Sequence, residues 1–240
     1  MRKIFIADAH LRQPTDENYR RLLAFLASLP GSADTLYILG DLFEFWIGYR
    51  QLAFPQYGPL IEQLRQLRSA GIRLVYFEGN HDFNLGPVFT GELGAEVHAG
   101  PAELELDGRR IFLCHGDQMN PADRGYRLLR ATLRSPLVRL LPGLLPPAVA
   151  LRIATLLDRT CGASEQTPRR HDPSAIIRTF ARQRFAQGSQ TVVTGHFHLP
   201  FHEQSAEGEI VSLGDWIADY SYAELVAGSF SLKTYSPPAD

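Results

Sequence analysis

Five short apolar runs in this chain of 240 residues each lead into a residue that can bind a metal ion or a phosphate group. The runs are residues 4–7, 36–39, 74–77, 111–114 and 191–194. Runs of this length predict buried β-strands. The residues that follow them offer oxygen or imidazole donors: Asp8 and His10, Asp41, Asn80, His115, and His196 with His198. Because sites in open α/β sheets form at the carboxyl ends of the strands, the pattern predicts one shared site.

The segments between the first runs predict an α/β fold. Residues 18–29 carry a helical apolar stripe that ends at Pro30-Gly31, and residues 59–70 repeat that pattern before Gly71. Such βαβ units predict mostly parallel strands with helices on the faces of the sheet. Three short runs near the end of the chain predict an antiparallel sheet: residues 209–213, 222–226 and 229–235.

Composition narrows the class of protein. The length suits a single domain, residues 1–240, and a formal net charge of −2 gives no reason to expect nucleic-acid binding. With two cysteines, a disulfide framework is not expected. Asp8 interrupts the first apolar run too early for a signal-peptide core. The sequence therefore predicts a cytoplasmic protein, at most peripherally attached to a membrane surface.

A helical insertion is predicted at residues 120–187. Positions 124–170 contain nine arginines but only two acidic residues, Asp158 and Glu165, and leucines are interleaved with the arginines. One interpretation is an ordinary insertion whose leucines pack on the body of the protein. The other is a basic, apolar cap that accepts a lipid-like, anionic ligand at a membrane surface.

The donor set at the strand ends suits divalent metal ions. Carboxylate, imidazole and amide oxygen are ligands for Mn²⁺, Fe²⁺ and Mg²⁺, whereas the shortage of cysteine argues against a structural zinc site. Seven donors exceed the needs of one ion with an open position, but they suit two ions that share a carboxylate. Two such ions can bind both sides of a phosphoryl group and lower the pKa of a water between them. His196 and His198 can each serve a different ion.

Five motifs in this order resemble the calcineurin-like metallophosphoesterase superfamily: Asp8-x-His10, Gly40-Asp41, Gly79-Asn80-His81-Asp82, His115-Gly116-Asp117 and Gly195-His196-x-His198. The resemblance implies a four-layer α/β/β/α sandwich with a helical cap insertion and two divalent metal ions, with Mn²⁺ expected. It implies that one ion is held by Asp8, His10, Asp41 and His198. It implies that the second is held by Asp41, Asn80, His115 and His196.

Longer segments around these motifs are similar to the UDP-2,3-diacylglucosamine hydrolases of lipid A synthesis. They include residues 5–11, residues 36–48 and Leu213-Gly214-Asp215-Trp216. This resemblance implies cleavage of a UDP-linked diacylated glucosamine lipid to UMP and a lipid monophosphate, lipid X. It also implies a cap that holds the acyl chains, and work at the cytoplasmic face of the inner membrane. The chain departs from that family at His81, where the family usually has arginine and the wider superfamily has histidine.

Roles for individual residues follow from the same resemblance. His81 and Asn80 are the expected catalytic residues, because the superfamily histidine is thought to assist the leaving group or stabilise phosphoryl charge. The expected substrate contacts are Asn80, His81, Trp46, Asp123, Arg124 and Tyr126. Other interpretations stay open, since Trp46 suits a core position and the last three residues can cap the first helix of the insertion. His81 can also be a turn residue bonded to Asp82.

Two other functions are compatible with the sequence. A phosphoesterase for soluble nucleotides or other phosphoesters would use the same donors, and His81 favours it. A binding scaffold of the same fold that no longer catalyses belongs to a different class, but such proteins usually lose donors and all seven are present here. No protein partner is inferred from the sequence.

Overall fold

Two β-sheets that pack face to face form the centre of the fold. The computed structural model describes residues 1–121, 124–150, 152 and 172–237 of the chain. The helices are α1 (Glu17–Ala27), α2 (Gly58–Ser69), α3 (Arg124–Leu133), α4 (Pro136–Leu144) and α5 (Pro173–Phe185), with shorter turns at Pro55–Tyr57 and Val88–Glu92. The strands are β1 (Arg2–Ile6), β2 (Thr35–Ile38), β3 (Trp46–Ile47), β4 (Arg73–Phe77), β5 (Asp82–Phe83), β6 (Glu96–His98), β7 (Ala102–Leu106), β8 (Arg109–Cys114), β9 (Thr191–Thr194), β10 (Phe201–Gln204), β11 (Glu209–Ser212), β12 (Ser221–Val226) and β13 (Ser229–Thr234).

The first sheet has the strand order β13-β12-β1-β2-β4-β6. Strands β1, β2, β4 and β6 run parallel, and their register places Ile6 beside Ile38 and Ile38 beside Tyr76. Strands β12 and β13 extend this sheet in antiparallel pairing. Helices α1 and α2 connect successive parallel strands, which confirms the βαβ units predicted from the apolar stripes.

The second sheet has the strand order β10-β11-β9-β8-β7. Strands β8, β9 and β11 run parallel, with Cys114 beside Thr194 and Thr194 beside Ser212. The prediction that the last three strands form one antiparallel sheet is wrong, because β11 lies here while β12 and β13 lie in the first sheet. The physical reason is burial: every residue of β11 is buried, as suits a central strand flanked by two others.

Alternating side chains along β1 show how the layers are filled. Ile4 and Ile6 face α1 and share a buried cluster with Leu22 and Leu26. Phe5, which lies between them in sequence, faces the second sheet and shares a cluster with buried residues of β8, β9 and β11. Helix α5 covers the outer face of the second sheet. The order of helices, sheet, sheet and helix confirms the predicted four-layer α/β/β/α sandwich.

The predicted insertion at residues 120–187 contains helices of two kinds. Helix α5 packs Ile177 and Ala181 onto the second sheet and so belongs to the sandwich. The apolar side chains of α3 and α4 include four that expose between 60% and 77% of their surface: Leu128, Leu137, Leu140 and Leu144. Residues 122–123, 151 and 153–171 lie outside the described part of the chain. No helix of the described part is both long and apolar enough to span a membrane.

A small parallel sheet of β3 and β5 joins the loops that follow β2 and β4. Trp46 lies beside Asp82 in this pairing. The Trp46 ring is 1% exposed, packs against Phe43 and Phe89, and donates from Nε1 to the Leu85 carbonyl oxygen at 3.1 Å. Trp46 therefore connects the two loops from inside the core.

Replacing Trp46 with alanine should lower the free energy of unfolding by about 3–5 kcal/mol, because a buried indole leaves a cavity and an unpaired carbonyl. Urea denaturation measures this loss. The matched control is Leu137→Ala, where the side chain is 77% exposed; that variant should change the free energy by under ~0.5 kcal/mol. A loss below about 1 kcal/mol for Trp46→Ala would contradict the packing described.

Candidate functional site

The carboxyl ends of the parallel strands in both sheets meet at one edge of the sandwich. The Asp8 amide donates to the Gly40 carbonyl oxygen at 3.1 Å, which joins the loops after β1 and β2. The Asp8 carboxylate Oδ2 accepts from the His196 amide at 2.7 Å, which joins the first sheet to the second. The Gly195 amide donates to the His115 carbonyl oxygen at 2.8 Å. These bonds bring the predicted donors that follow four separate strands, β1, β2, β8 and β9, into one region.

The backbone at this edge adopts an uncommon conformation. Nine non-glycine residues in the described ranges have a left-handed φ, and five of them are predicted metal ligands: Asp8, His10, Asp41, His196 and His198. A left-handed conformation costs an L-residue roughly 1–2 kcal/mol, and such residues cluster at functional sites. The concentration at these positions indicates that the loops are shaped to aim their side chains.

Two glycines let the loops approach each other closely. A Cβ atom at Gly79 would lie 2.1 Å from Oδ1 of Asp41. A Cβ atom at Gly195 would lie 2.4 Å from Oδ2 of Asp8. Both distances are far inside van der Waals contact, so only glycine fits beside each carboxylate. This explains why glycine precedes Asn80 and His196 in the two sequence motifs.

Asp8, His10 and His198 form the first cluster of donors. One donor atom from each lies within 4.8 Å of the others. The distance from Asp8 Oδ1 is 4.0 Å to His10 Nε2 and 3.7 Å to His198 Nε2. The two imidazole rings stack with their centroids 5.2 Å apart. Three side chains from both sheets thus surround one small volume with oxygen and nitrogen donors.

Asp41, His115 and His196 form the second cluster, again with donor atoms within 4.8 Å of one another. His115 Nε2 lies 3.3 Å from Asp41 Oδ2 and 2.9 Å from Asn80 Oδ1. Asp41 Oδ2 also lies 3.7 Å from His10 Nε2 in the first cluster. The carboxylate of Asp41 is therefore placed between the two clusters, where a shared ligand of two ions would have to lie.

Two buried atoms of the first cluster lack a hydrogen-bond partner. These atoms are Asp8 Oδ1 and His10 Nε2, and the distance between them is 4.0 Å. A buried polar atom without a partner is costly, so native proteins rarely keep one without a reason. A divalent cation between these atoms would satisfy both, and carboxylate with imidazole is a donor set that such ions accept. The residues present fit a metal ion at this position.

The protonation of the buried donors follows from their surroundings. Burial raises the pKa of Asp8 to about 7 and lowers the pKa of His10 to about 3. Burial also lowers the pKa of His196 to about 4. Burial by itself would raise the pKa of Asp41, but His115, His81 and His10 together outweigh this effect and hold the pKa well below its ordinary value. His10 and His196 are therefore neutral at pH 7, which is the form that binds metals.

Further hydrogen bonds orient the imidazoles. The Nδ1 atom of His115 lies 2.8 Å from the Leu39 carbonyl oxygen, which turns Nε2 toward Asp41. The Nδ1 atom of His198 lies 3.2 Å from Asp215 Oδ2, which turns its Nε2 toward Asp8. Such outer partners fix the tautomer and orientation of metal-binding histidines.

Asp215 lies in a segment that carries the family resemblance, but the sequence alone predicts no role for it in the site. Its Oδ1 atom accepts from the amides of Ile217 and Ala218 at 2.8 Å each, and its Oδ2 faces His198. These contacts hold the pKa of Asp215 below its ordinary value against the effect of burial. A signal was present, because Gly214-Asp215 follows β11 as Gly40-Asp41 follows β2.

The carboxylate of Asp82 ties the Asp41 loop to the Asn80 loop. Oδ1 accepts from the amides of Asp41 at 3.0 Å and Gly79 at 2.9 Å. Oδ2 accepts from the Leu42 amide at 2.7 Å and the Tyr76 hydroxyl at 2.6 Å. Asp82 thus holds both loops in place from beneath the site.

His81 lies at the mouth of the first cluster and is partly exposed. Its Nδ1 atom lies 2.9 Å from the Glu44 carbonyl oxygen, and its ring meets the His10 ring edge-on with centroids 4.7 Å apart. Because a carbonyl oxygen only accepts, Nδ1 carries the proton in this contact. The carbonyl oxygen of Glu44 is thus a partner of the ring.

The predicted substrate contacts fall in different places. Tyr126 lies near the site, with its ring centroid 6.3 Å from that of His196 and its hydroxyl donating to Asp117 Oδ2 at 2.7 Å. Trp46 is buried in the core, and its substrate role stays a prediction. Asp123 and the side chain of Arg124 lie outside the described residues. Sequence reasoning missed Glu44, whose carboxylate comes within 3.8 Å of His10 Nδ1.

Comparison with known proteins agrees with this site. The family model described as calcineurin-like phosphoesterase matches residues 1–200. Two relatives are named UDP-2,3-diacylglucosamine hydrolase. The one from Pseudomonas syringae pv. tomato is 34% identical over 221 residues, which cover 89% of this chain and 87% of the relative. The one from Stenotrophomonas maltophilia is 32% identical and covers 98% of both chains.

A solved structure supports the fold independently. The structure of a novel archaeal phosphodiesterase superposes with a TM-score of 0.52 at 12% identity and covers 98% of this chain and 100% of that one. At this identity the likeness concerns the fold alone. The family model covers most of the chain, and both relatives exceed 30% identity over at least 89% of it. The resemblance predicted from the five motifs is confirmed, and the chain belongs to the calcineurin-like phosphoesterase family.

Proposed function

We propose that the protein is a metal-dependent hydrolase that cleaves the diphosphate of UDP-2,3-diacylglucosamine to UMP and a lipid monophosphate. The observation that carries the proposal is the pair of adjoining donor clusters with Asp41 between them. The choice of substrate rests on the relatives of that name, whose similarity extends over nearly the whole chain. A substrate of this kind requires both a phosphoanhydride site and a surface for acyl chains.

We assign the seven donors to two divalent ions, with Mn²⁺ the expected metal. Asp8, His10 and His198 would hold one ion, and His115, His196 and Asn80 the other. Asp41 would serve both, because its Oδ2 atom lies 3.7 Å from His10 Nε2 and 3.3 Å from His115 Nε2. The absence of cysteine from both clusters, and their mixture of oxygen and imidazole donors, support an ion of this hardness.

When bound, two such ions supply positive charge and a more acidic water at a phosphoryl group. The chain's own residues would then orient the substrate. Nδ1 of His81 lies 2.9 Å from the Glu44 carbonyl oxygen, and we assign the contact with an oxygen of the diphosphate to Nε2. A proton held at Nε2 would stabilise charge on that oxygen or be given to the leaving group.

The insertion is the proposed binding site of the acyl chains. Its described helices α3 and α4 expose four leucines, and exposed apolar side chains of this kind suit a lipid ligand. Because α5 packs into the sandwich, we place the end of the lipid-binding insertion before Pro173. The substrate and this apolar surface together favour work at the cytoplasmic face of the inner membrane.

Incubation of the protein with UDP-2,3-diacylglucosamine and Mn²⁺ should release UMP, measured by chromatography of the nucleotide products. A metal-free sample is the control. The alternative substrate class, soluble nucleotides and phosphoesters, is favoured by His81 and is tested in a parallel panel. Faster turnover of a soluble compound than of the acylated one would contradict the proposed substrate, and no turnover of either would contradict an enzymatic role.

Replacing Asp41 with alanine should abolish turnover and lower the bound metal below that of either flanking variant. The reason is that Asp41 lies between the clusters, so its loss removes a ligand and a compensating charge from both ions. His10→Ala and His198→Ala should each weaken one ion and keep activity that excess Mn²⁺ restores. Metal analysis and specific activity of the three folded variants measure this. If Asp41→Ala keeps two ions and normal turnover, the shared-ligand assignment is wrong.

Replacing His81 with alanine should lower kcat by roughly 10²- to 10⁴-fold, the range for loss of a general acid or base. Bound metal should stay unchanged, because in this proposal His81 holds no ion. His81→Gln is the matched variant, since an amide can donate a hydrogen bond but cannot transfer a proton. Turnover equal to the parent for both variants would remove His81 from the mechanism.

A further inference from the structure

One face of helix α3 reaches the loops that carry the candidate ligands. Tyr126, Arg130 and Arg134 recur every four residues and so lie on the same side of the helix. Arg134 follows the last residue of α3 and continues its final turn, since its amide donates to the Arg130 carbonyl oxygen at 3.0 Å. All three side chains contact loops of the sandwich, whereas Leu128, two residues from both Tyr126 and Arg130, is exposed.

Arg134 forms hydrogen bonds with the turn that carries Asn80 and His81. Its guanidinium donates to Glu78 Oε2 at 2.8 Å and to the Gly79 carbonyl oxygen at 3.0 Å, and it also contacts the Ala99 carbonyl oxygen. The side chains of the ion pair are largely buried, with 12% of Arg134 and 5% of Glu78 exposed. An arginine in this position crosslinks a helix of the insertion to the loop immediately before Asn80.

Glu78 extends the contact around the whole turn. Its other oxygen, Oε1, accepts from the Leu85 amide at 3.1 Å, which closes the loop over residues 78–85. The Glu78 amide donates to the His98 carbonyl oxygen at 2.9 Å. The two carboxylate oxygens of Glu78 therefore connect Arg134 to both ends of the segment that contains Asn80, His81 and Asp82.

The other two residues of this face hold the loop after β8. Arg130 Nε lies 2.6 Å from Asp117 Oδ2, and the Tyr126 hydroxyl donates to the same oxygen. Asp117 is two residues beyond His115, whose Nε2 meets Asn80 Oδ1 at 2.9 Å. The helix is thus attached to two loops that also touch each other at the site.

We propose that Arg134 is a positioning residue that couples α3 to the turn of Asn80 and His81. The proposal rests on the roles given above to those two residues, and it adds a fixed connection between the lipid-binding insertion and the phosphate site. Only an arginine makes this connection, because its planar fork reaches a carboxylate and two carbonyl oxygens at once. A lysine can keep the pair with Glu78 but presents a single nitrogen.

Hydrogen–deuterium exchange of the metal-free protein tests the coupling without relying on activity. In Arg134→Lys the amides of residues 78–85 should exchange about 10-fold faster or more, as expected when a local opening is eased. Residues 191–194 of the central strand β9 serve as the internal reference, because a general loss of stability would speed both segments equally. Arg65→Lys is the matched control, since Arg65 also uses both terminal guanidinium nitrogens, one for Glu62 and one for Glu92, but does so at the surface.

The activities of the same variants are then compared with Mn²⁺ bound. Arg134→Lys should lower kcat by roughly 10- to 100-fold with a smaller change in KM, because misplacing a reacting group acts on the chemical step. It should also weaken one of two metal-binding events in calorimetric titration with Mn²⁺, through Asn80. Arg65→Lys should match the parent in every measurement.

Exchange in Arg134→Lys that is unchanged in residues 78–85, or accelerated equally there and in residues 191–194, would overturn the proposal. If the parent protein fails to release UMP from the lipid while the local exchange result holds, the proposed substrate is wrong and the coupling stands.

Discussion

The hydrogen bond between the Asp8 carboxylate and the His196 amide joins the two sheets at the edge where the site lies. Asp8 belongs to the first sheet and His196 to the second, so this contact sets the offset of one sheet against the other. With that offset, each donor cluster draws ligands from both sheets. A small slip between the sheets would separate the members of each cluster. Gly195 permits the close approach of the two sheets beside Asp8, and Gly79 permits the approach of two loops of the first sheet beside Asp41.

Much of the architecture could be predicted from the sequence. The ends of the strands can be located in the sequence because buried parallel strands are short apolar runs. The donors follow these runs directly in the chain. The candidate ligands can therefore be recognised by their position in the chain. The βαβ pattern predicts parallel strands with helices on the faces, and the resemblance to the calcineurin-like metallophosphoesterases implies the four layers. The placement of β11 could not be predicted in the same way, since a short apolar run fits a central parallel strand and an antiparallel strand equally well.

The supporting residues were less accessible to sequence reasoning for a different reason. Asp215, Glu44 and Arg134 act through partners distant in sequence, and a single charged residue in a loop or helix looks like any solvated side chain. Nothing in the sequence distinguishes Arg134 from the other eight arginines between positions 124 and 170. Its contact with Glu78 depends on how the insertion folds back, which no local pattern encodes.

At the left-handed residues of the site, selection for stability and selection for function favour different side chains. Five of the proposed ligands adopt a conformation that glycine would adopt at lower cost, and glycine would supply no donor. At each of these positions, replacement by glycine would therefore make the folded chain more stable at the expense of its activity. A descendant of this chain freed from catalysis would be expected to drift first at these five positions. The fold would survive such drift, because the layers that hold it together lie beneath the site.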